Sequence, residues 1–135
     1  MSKSAESDAG TVYLAEDLAK TAKKFKRAVT DSENSVRYDP ANKPGVANLL
    51  GILGAATGAD PEALADDYSQ YGPLKSDTAD AVVALLEPIQ QRLADLKASP
   101  AETTAALAVG ADRAREIASA TYARAVNNIG LLPKA

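Results

Sequence analysis

Five cations fall close together near the start of the chain: Lys20, Lys23, Lys24, Lys26 and Arg27, with no acid among them. Side chains of this type at this density can neutralise phosphates and release the counterions condensed on a polyanion. The same pattern also makes an ordinary solvated helix face, and spacing alone leaves both readings open. The chain as a whole carries a net charge of only −3. That is too weak to steer a partner over the entire surface, so a polyanion would have to be met by a local patch. A second, looser set of bases, Arg113, Arg115, Arg124 and Lys134, lies toward the other end. It is either another solvated face or a further part of such a surface.

Other chemistries are poorly supplied. There is no histidine, the commonest general base and metal ligand, and no cysteine for a disulfide, a thiolate nucleophile or a zinc–thiolate site. A self-contained enzyme would have to work with carboxylates, lysines, arginines and hydroxyls. Glu62, Asp66 and Asp67 are the nearest approach to a carboxylate cluster, but they lack the spacing and the glycine of a calcium loop, so no metal ligands are expected. Arg37 and Asp39 are spaced to pair across a turn, a structural rather than a catalytic arrangement. No apolar run approaches the ~18 residues of a membrane span. No signal-peptide pattern is present either, so no membrane partner and a cytoplasmic location are expected.

The elements that must position these residues are helical. At 135 residues, with 46% apolar but only 4% aromatic side chains, the core should be aliphatic, alanine-rich and closely packed. Its centre is predicted in Asp39–Gly58, DPANKPGVANLLGILGAATG, with Val46, Leu49, Leu50, Ile52, Leu53, Ala55 and Ala56 almost all round one short helix. A helix without a polar face is buried by other elements. Asn42 is placed to cap it, Pro44 fits its first turn, Gly58 suits a left-handed residue past its end, and Asp60-Pro61 opens another helix. Before it, Leu14, Leu18, Thr21, Ala22, Phe25 and Val29 form the inner face of a helix from near Leu14 to Val29, with the cations outside. After it, a short acidic helix runs from Pro61 to about Tyr71, with Leu64 and Tyr68 inward, and Gly72-Pro73 breaks the chain. A long helix follows from Leu74 to about Lys97, with Val82, Leu85, Leu86, Ile89, Leu93 and Leu96 as its stripe and Pro88 as an internal kink. Ser99-Pro100-Ala101-Glu102 reads as a capping box. It opens a last long helix to about Ile129, whose inner stripe is Leu107, Ala111, Ala114, Ile117, Ala118, Tyr122, Ala125 and Ile129. The expected fold class is all-α: a bundle of about five helices, two of them long and antiparallel, around the short buried apolar helix.

The stretch YDPANKPGVANLLGILGAATG, with KFKRAVTDSE before it and LEPIQQRLADL after it, resembles the C-terminal part of bacterial tryptophanyl-tRNA synthetases, blocks in the same order. The resemblance runs from Met1 to about Pro133. In it, Met1-Ser2-Lys3-Ser4 matches the last four residues of the KMSKS signature of class I aminoacyl-tRNA synthetases. The signature's first lysine is absent, and Met1 stands where the family has an internal methionine. That implies a truncated gene, a mis-assigned start or one half of a split enzyme. A further departure is Leu18, where the family pattern has a proline.

The resemblance implies that residues 1–13 are the end of the catalytic loop and residues 14–135 a helical, anticodon-binding domain. It implies that Lys3 is catalytic, its ammonium pairing with ATP phosphates, with Ser2 and Ser4 beside it. It makes the basic strip, Lys20, Lys23, Lys24 and Arg27, a tRNA-contacting surface. The whole enzyme uses ATP with Mg to activate tryptophan and attach it to its tRNA. The partners so implied are tRNA and either an N-terminal catalytic half or, at full length, a homodimer; DNA is not expected. This sequence shows no parallel sheet and no strand-turn-helix to hold adenosine, so the chain alone should bind no cofactor and be inactive. The rival reading is a free-standing helical module, derived from a synthetase, that binds RNA or protein.

Overall fold

The computed structural model describes residues 8–130. Among them there are five α-helices and no strand: α1 (Leu18–Lys26), α2 (Pro44–Thr57), α3 (Pro61–Ala65), α4 (Tyr71–Ala98) and α5 (Pro100–Asn128), preceded by a single 3₁₀ turn at Asp8–Gly10. The chain divides into two compact units, Met1–Arg92 and Leu93–Ala135.

The first unit is organised on α2, as the sequence predicts. Val46, Leu49, Leu50 and Leu53 are buried, and they form one cluster with Phe25 of α1, Ala65 of α3, and Tyr71, Leu74, Ala79, Val82 and Leu86 of α4. Pro44 opens the helix. Gly58 closes it with φ +78° and its N–H on the Gly54 carbonyl, the left-handed conformation a residue without Cβ adopts freely. Asn42 does not cap α2. Its side chain and backbone N–H turn back to the Asp39 carboxylate, and the N-terminal flank is Lys43, which makes no side-chain cap bond. Asp60 does cap α3, accepting from the Glu62 N–H at 3.1 Å.

Three helices differ in extent from expectation. The short acidic helix α3 ends at Ala65 rather than near Tyr71, the Asp66 N–H turning back to the Ala63 carbonyl. α1 is shorter than Leu14–Val29 because Asp17 takes the Lys20 N–H and fixes the start at Leu18. Leu14 and Val29 are both exposed. Leu18 thus occupies the first helical position, where proline is also at home because the N–H there has no partner within the helix. Gly72-Pro73 does not break the chain. α4 begins at Tyr71 and carries both residues in its first turn, where a missing N–H removes no helical bond. The helix also runs through Pro88. Along its stripe Val82 and Leu86 are buried, whereas Leu85 and Ile89 are exposed.

In the second unit, α5 spans nearly the predicted residues but buries none of them. Leu107, Ile117, Tyr122 and Ile129 of the expected inner stripe are each 68–71% exposed. The capping box does not form through Ser99, whose side chain makes no cap bond. Helical periodicity marks the face suited to burial but does not identify what covers it.

Candidate functional site

The basic strip of α1 divides by geometry. Lys24 is drawn inward: its ammonium donates to the Thr11 carbonyl at 2.5 Å and to both Glu16 carboxylate oxygens at 2.8 and 2.9 Å, and it lies 5.1 Å from the Tyr13 ring centre. Lys20 is more open, but it pairs with Asp8 at 3.1 Å and Glu16 at 3.7 Å. The hydrogen bond to Asp8 raises its pKa. Lys23 and Arg27 are exposed and have no acidic partner among the described residues. All four line a groove of about 830 Å³ whose apolar wall includes Phe25, Leu49 and Ile52. Lys26, also exposed, is not among its lining residues.

Glu16, legible in the sequence only as an acid suited to a helix N-terminus, lies ahead of α1 and anchors the segment leading into it. Its carboxylate accepts from the Tyr13 N–H, the Thr21 hydroxyl and Lys24, and the hydrogen bond from Lys24 leads in lowering its pKa. Gln90 of α4 donates to the carbonyls of both Leu14 and Glu16, at 2.9 and 2.8 Å. The chain from Thr11 to Glu16 is therefore held to both α1 and α4. Ser2, Lys3 and Ser4 lie outside the described residues.

A second network also escaped the sequence reading. Lys43 is the only charged residue between Pro40 and Ala59, and its side chain is 1% exposed. It stands where a helix dipole disfavours a cation, and the compensation is local. Its ammonium donates to Asp31 at 2.9 Å and to the Tyr71 hydroxyl at 2.9 Å, and pairs with Glu33 at 2.8 Å. The Tyr71 hydroxyl donates to Asp31 as well. Asn34, at φ 52°, accepts from the Tyr71 N–H at the head of α4. Arg37 pairs with Glu33 at 2.8 Å and with Asp39 at 3.7 Å, the turn pairing the sequence suggested. Gly45 lies so close under the Val29 carbonyl that a Cβ there would collide with it. These contacts clamp the connector after α1 onto the starts of α2 and α4.

The network has a pH signature. The Tyr71 hydrogen bond, then Lys43, holds the Asp31 carboxyl well below the usual carboxylate range. Glu33 is lowered by hydrogen bonds from Lys43 and Arg37. Burial pulls the Lys43 ammonium down, but Glu33, Tyr71 and Asp31 outweigh it and the net direction is up. A depressed carboxylate pKa stabilises the fold above the unfolded value, near about 4, and that contribution is lost as pH falls through the folded value. Urea midpoints should therefore fall below about pH 4, and Asp31→Asn should make that fall shallower. An unchanged acid limb in the variant would remove Asp31 from the stabilising set.

Among the described residues, no group of three or more histidine, cysteine or acidic side chains is placed to hold a metal ion. No helix there is long and apolar enough to cross a membrane.

The arrangement thus pairs an open basic strip with a pinned segment leading back toward the first residues. A family profile described as tRNA synthetases class I (W and Y) matches residues 1–87. The chain belongs to that family. Tryptophan–tRNA ligase of Mycobacterium leprae is 49% identical over 99% of this chain, which covers 40% of that protein. Tryptophan–tRNA ligase 1 of Streptomyces coelicolor is 46% identical over 98% of the chain, again 40% of the relative. The crystal structure of tryptophanyl-tRNA synthetase from Mycoplasma pneumoniae superimposes with a TM-score of 0.77 at 30% identity, over 98% of this chain and 41% of that one. The chain thus spans about 40% of the length of the curated relatives it matches.

Proposed function

We infer that this chain is the C-terminal portion of a tryptophan–tRNA ligase, supplying tRNA-contacting helices and the end of the loop that handles ATP phosphates. The observation that carries this reading is the identity, close to half, that spans almost the entire chain in relatives bearing that name. In the complete enzyme, tryptophan's carboxylate attacks the α-phosphate of ATP to give tryptophanyl-adenylate and pyrophosphate, and the tRNA then displaces AMP. Lys3, flanked by Ser2 and Ser4, would pair with the ATP phosphates and offset the charge that grows on the departing pyrophosphate. Lys24 and Gln90 anchor the segment Thr11–Glu16 to α1 and α4. Lys23 and Arg27, with Lys20 in support, would contact tRNA phosphates; Lys24 would serve mainly as the anchor.

The test is a filter-binding salt titration of the chain against tryptophan tRNA and an unrelated tRNA. Neutralising Lys20, Lys23, Lys24 and Arg27 together should flatten the dependence of log K on log salt by up to about 0.7–0.9 per lost contact. Lys23→Gln with Arg27→Gln should account for most of that change. A parent slope in the quadruple variant would make the strip a solvated face. Equal binding of the two tRNAs would mean that the strip positions RNA without specifying it.

A further inference from the structure

Two acids reach the cations of α1, and they differ in what opening each pair would cost. Glu16 and Lys24 are enclosed, 7% and 10% exposed, and the glutamate also accepts from the Tyr13 N–H and the Thr21 hydroxyl. Breaking that pair would strand a carboxylate away from water, a large penalty. Asp8 and Lys20 meet at 3.1 Å but are 57% and 56% exposed. A pair so open is held only weakly, because water solvates either charge once it is released. The segment before α1 brings Asp8 over the strip. Lys24 holds the Thr11 carbonyl, and the Thr11 N–H donates to the Asp8 carbonyl at 3.3 Å. The 3₁₀ turn Asp8–Gly10 then lines the same groove as Lys20, Lys23 and Arg27, and Asp8 is the only acid lining it among the described residues. The hydrogen bond from Lys20 leads in holding the Asp8 carboxyl below its usual range.

We propose that the Asp8 carboxylate is an internal stand-in for a phosphate: it occupies Lys20 in the free chain and is displaced when an RNA backbone enters the groove. A lysine ammonium is a compact charge with three rotatable donors, so it accepts a phosphate oxygen in the place of a carboxylate oxygen without rearrangement. Lys23 and Arg27, which have no acidic partner among the described residues, take the first phosphates. Lys20 joins them as Asp8 leaves, while Lys24 stays on Glu16. The tether matters to selectivity. A carboxylate held a short chain length away competes at a high effective concentration. A lone phosphate in solution loses that competition, whereas a polyanion already seated on Lys23 and Arg27 presents its next phosphate at a comparable local concentration. Asp8 thus tunes the strip toward polymers and away from single anions. The proposal rests on reading the strip as an RNA-contacting surface and adds how that surface is restrained.

The experiment is filter binding of the full chain, at one fixed salt concentration, to tryptophan tRNA and to poly(U). Asp8→Asn removes the charge and keeps the backbone bond of the turn. It should tighten binding of both polymers by about two- to fivefold, the range expected for releasing one exposed ion pair. The gain should vanish when Lys20→Gln is also present, because the two side chains act through one contact and their effects do not add. Glu62→Gln removes the same unit of charge from an exposed position on α3 outside the groove, and it should bind as the parent does. Loss of the gain beside Lys20→Gln supports the displaced contact. The same pattern on poly(U), with no form binding tryptophan tRNA, supports it too and counts against the tRNA reading alone. Parent-like affinity of Asp8→Asn for both polymers overturns the proposal. So does a gain that persists beside Lys20→Gln, an equal gain from Glu62→Gln, or failure of every form to bind either polymer.

Discussion

Leu50→Ala is expected to lower the stability of the chain by about 2–5 kcal/mol, and Leu53→Ala by a similar amount. Leu50 is fully buried and Leu53 is 3% exposed. Both lie in the cluster that joins α2 to residues of α1, α3 and α4. Removing three carbons from such a site loses their transfer free energy and leaves a cavity that close-packed neighbours refill only in part. The neighbours here are themselves buried: Val46 and Leu74 are fully enclosed and Leu49 is 1% exposed. Little slack is available for collapse. Leu96→Ala, at a half-buried position late in α4, should cost less. Leu107→Ala, at a residue 69% exposed, should stay within about 0.5 kcal/mol of the parent, as surface changes usually do. Urea midpoints of the four variants rank them directly. A smaller loss at Leu50 than at Leu96 would displace α2 from the centre of the fold.

How much of this could be read in advance depended on whether a signal was local. α2 was legible because its limits are set by backbone chemistry within a few residues: Pro44 without an N–H, Gly58 without a Cβ, and Asp60-Pro61 beginning the next helix. The same local reading misjudged Gly72-Pro73, since a Gly-Pro pair interrupts a helix interior but is harmless in a first turn. Lys43 was missed because its partners Asp31 and Glu33 lie ten or more residues upstream and Tyr71 twenty-eight downstream. The usable signal was its isolation, one cation in an otherwise uncharged stretch at the wrong end of a helix dipole. Asn42 failed as a cap because Asp39, three residues back, offered its side chain a nearer partner. For α5, periodicity found the helix but gave no cover for its stripe.

The basic strip was legible as a cluster but not as a division of labour. Residue spacing put Lys20, Lys23, Lys24 and Arg27 on one helix. It gave no sign that Lys24 would be committed to Glu16 and Thr11 while Lys23 and Arg27 remained open. That division came from the segment before α1, which folds back so that one glutamate gathers two of the lysines.

The other large effect concerns Lys3. In the reading proposed above, its ammonium offsets charge that develops on pyrophosphate only as the bond to the α-phosphate breaks, so it acts on the transition state more than on bound ATP. Losing one such preorganised partner should slow activation on the order of 10²-fold or more. In that reading the nucleotide-binding half belongs to the part of the relatives that this chain does not cover, so the two parts are assayed separately and together. The direct measurement is tryptophan-dependent ATP–pyrophosphate exchange by the cleanly purified chain, without and with the part of the Mycobacterium leprae ligase that it does not match. The account predicts background exchange from the chain alone, exchange when the two parts are combined, and a rate at least about a hundredfold lower with Lys3→Ala. Exchange by the chain alone, or a parent rate from the combined Lys3→Ala form, would contradict it.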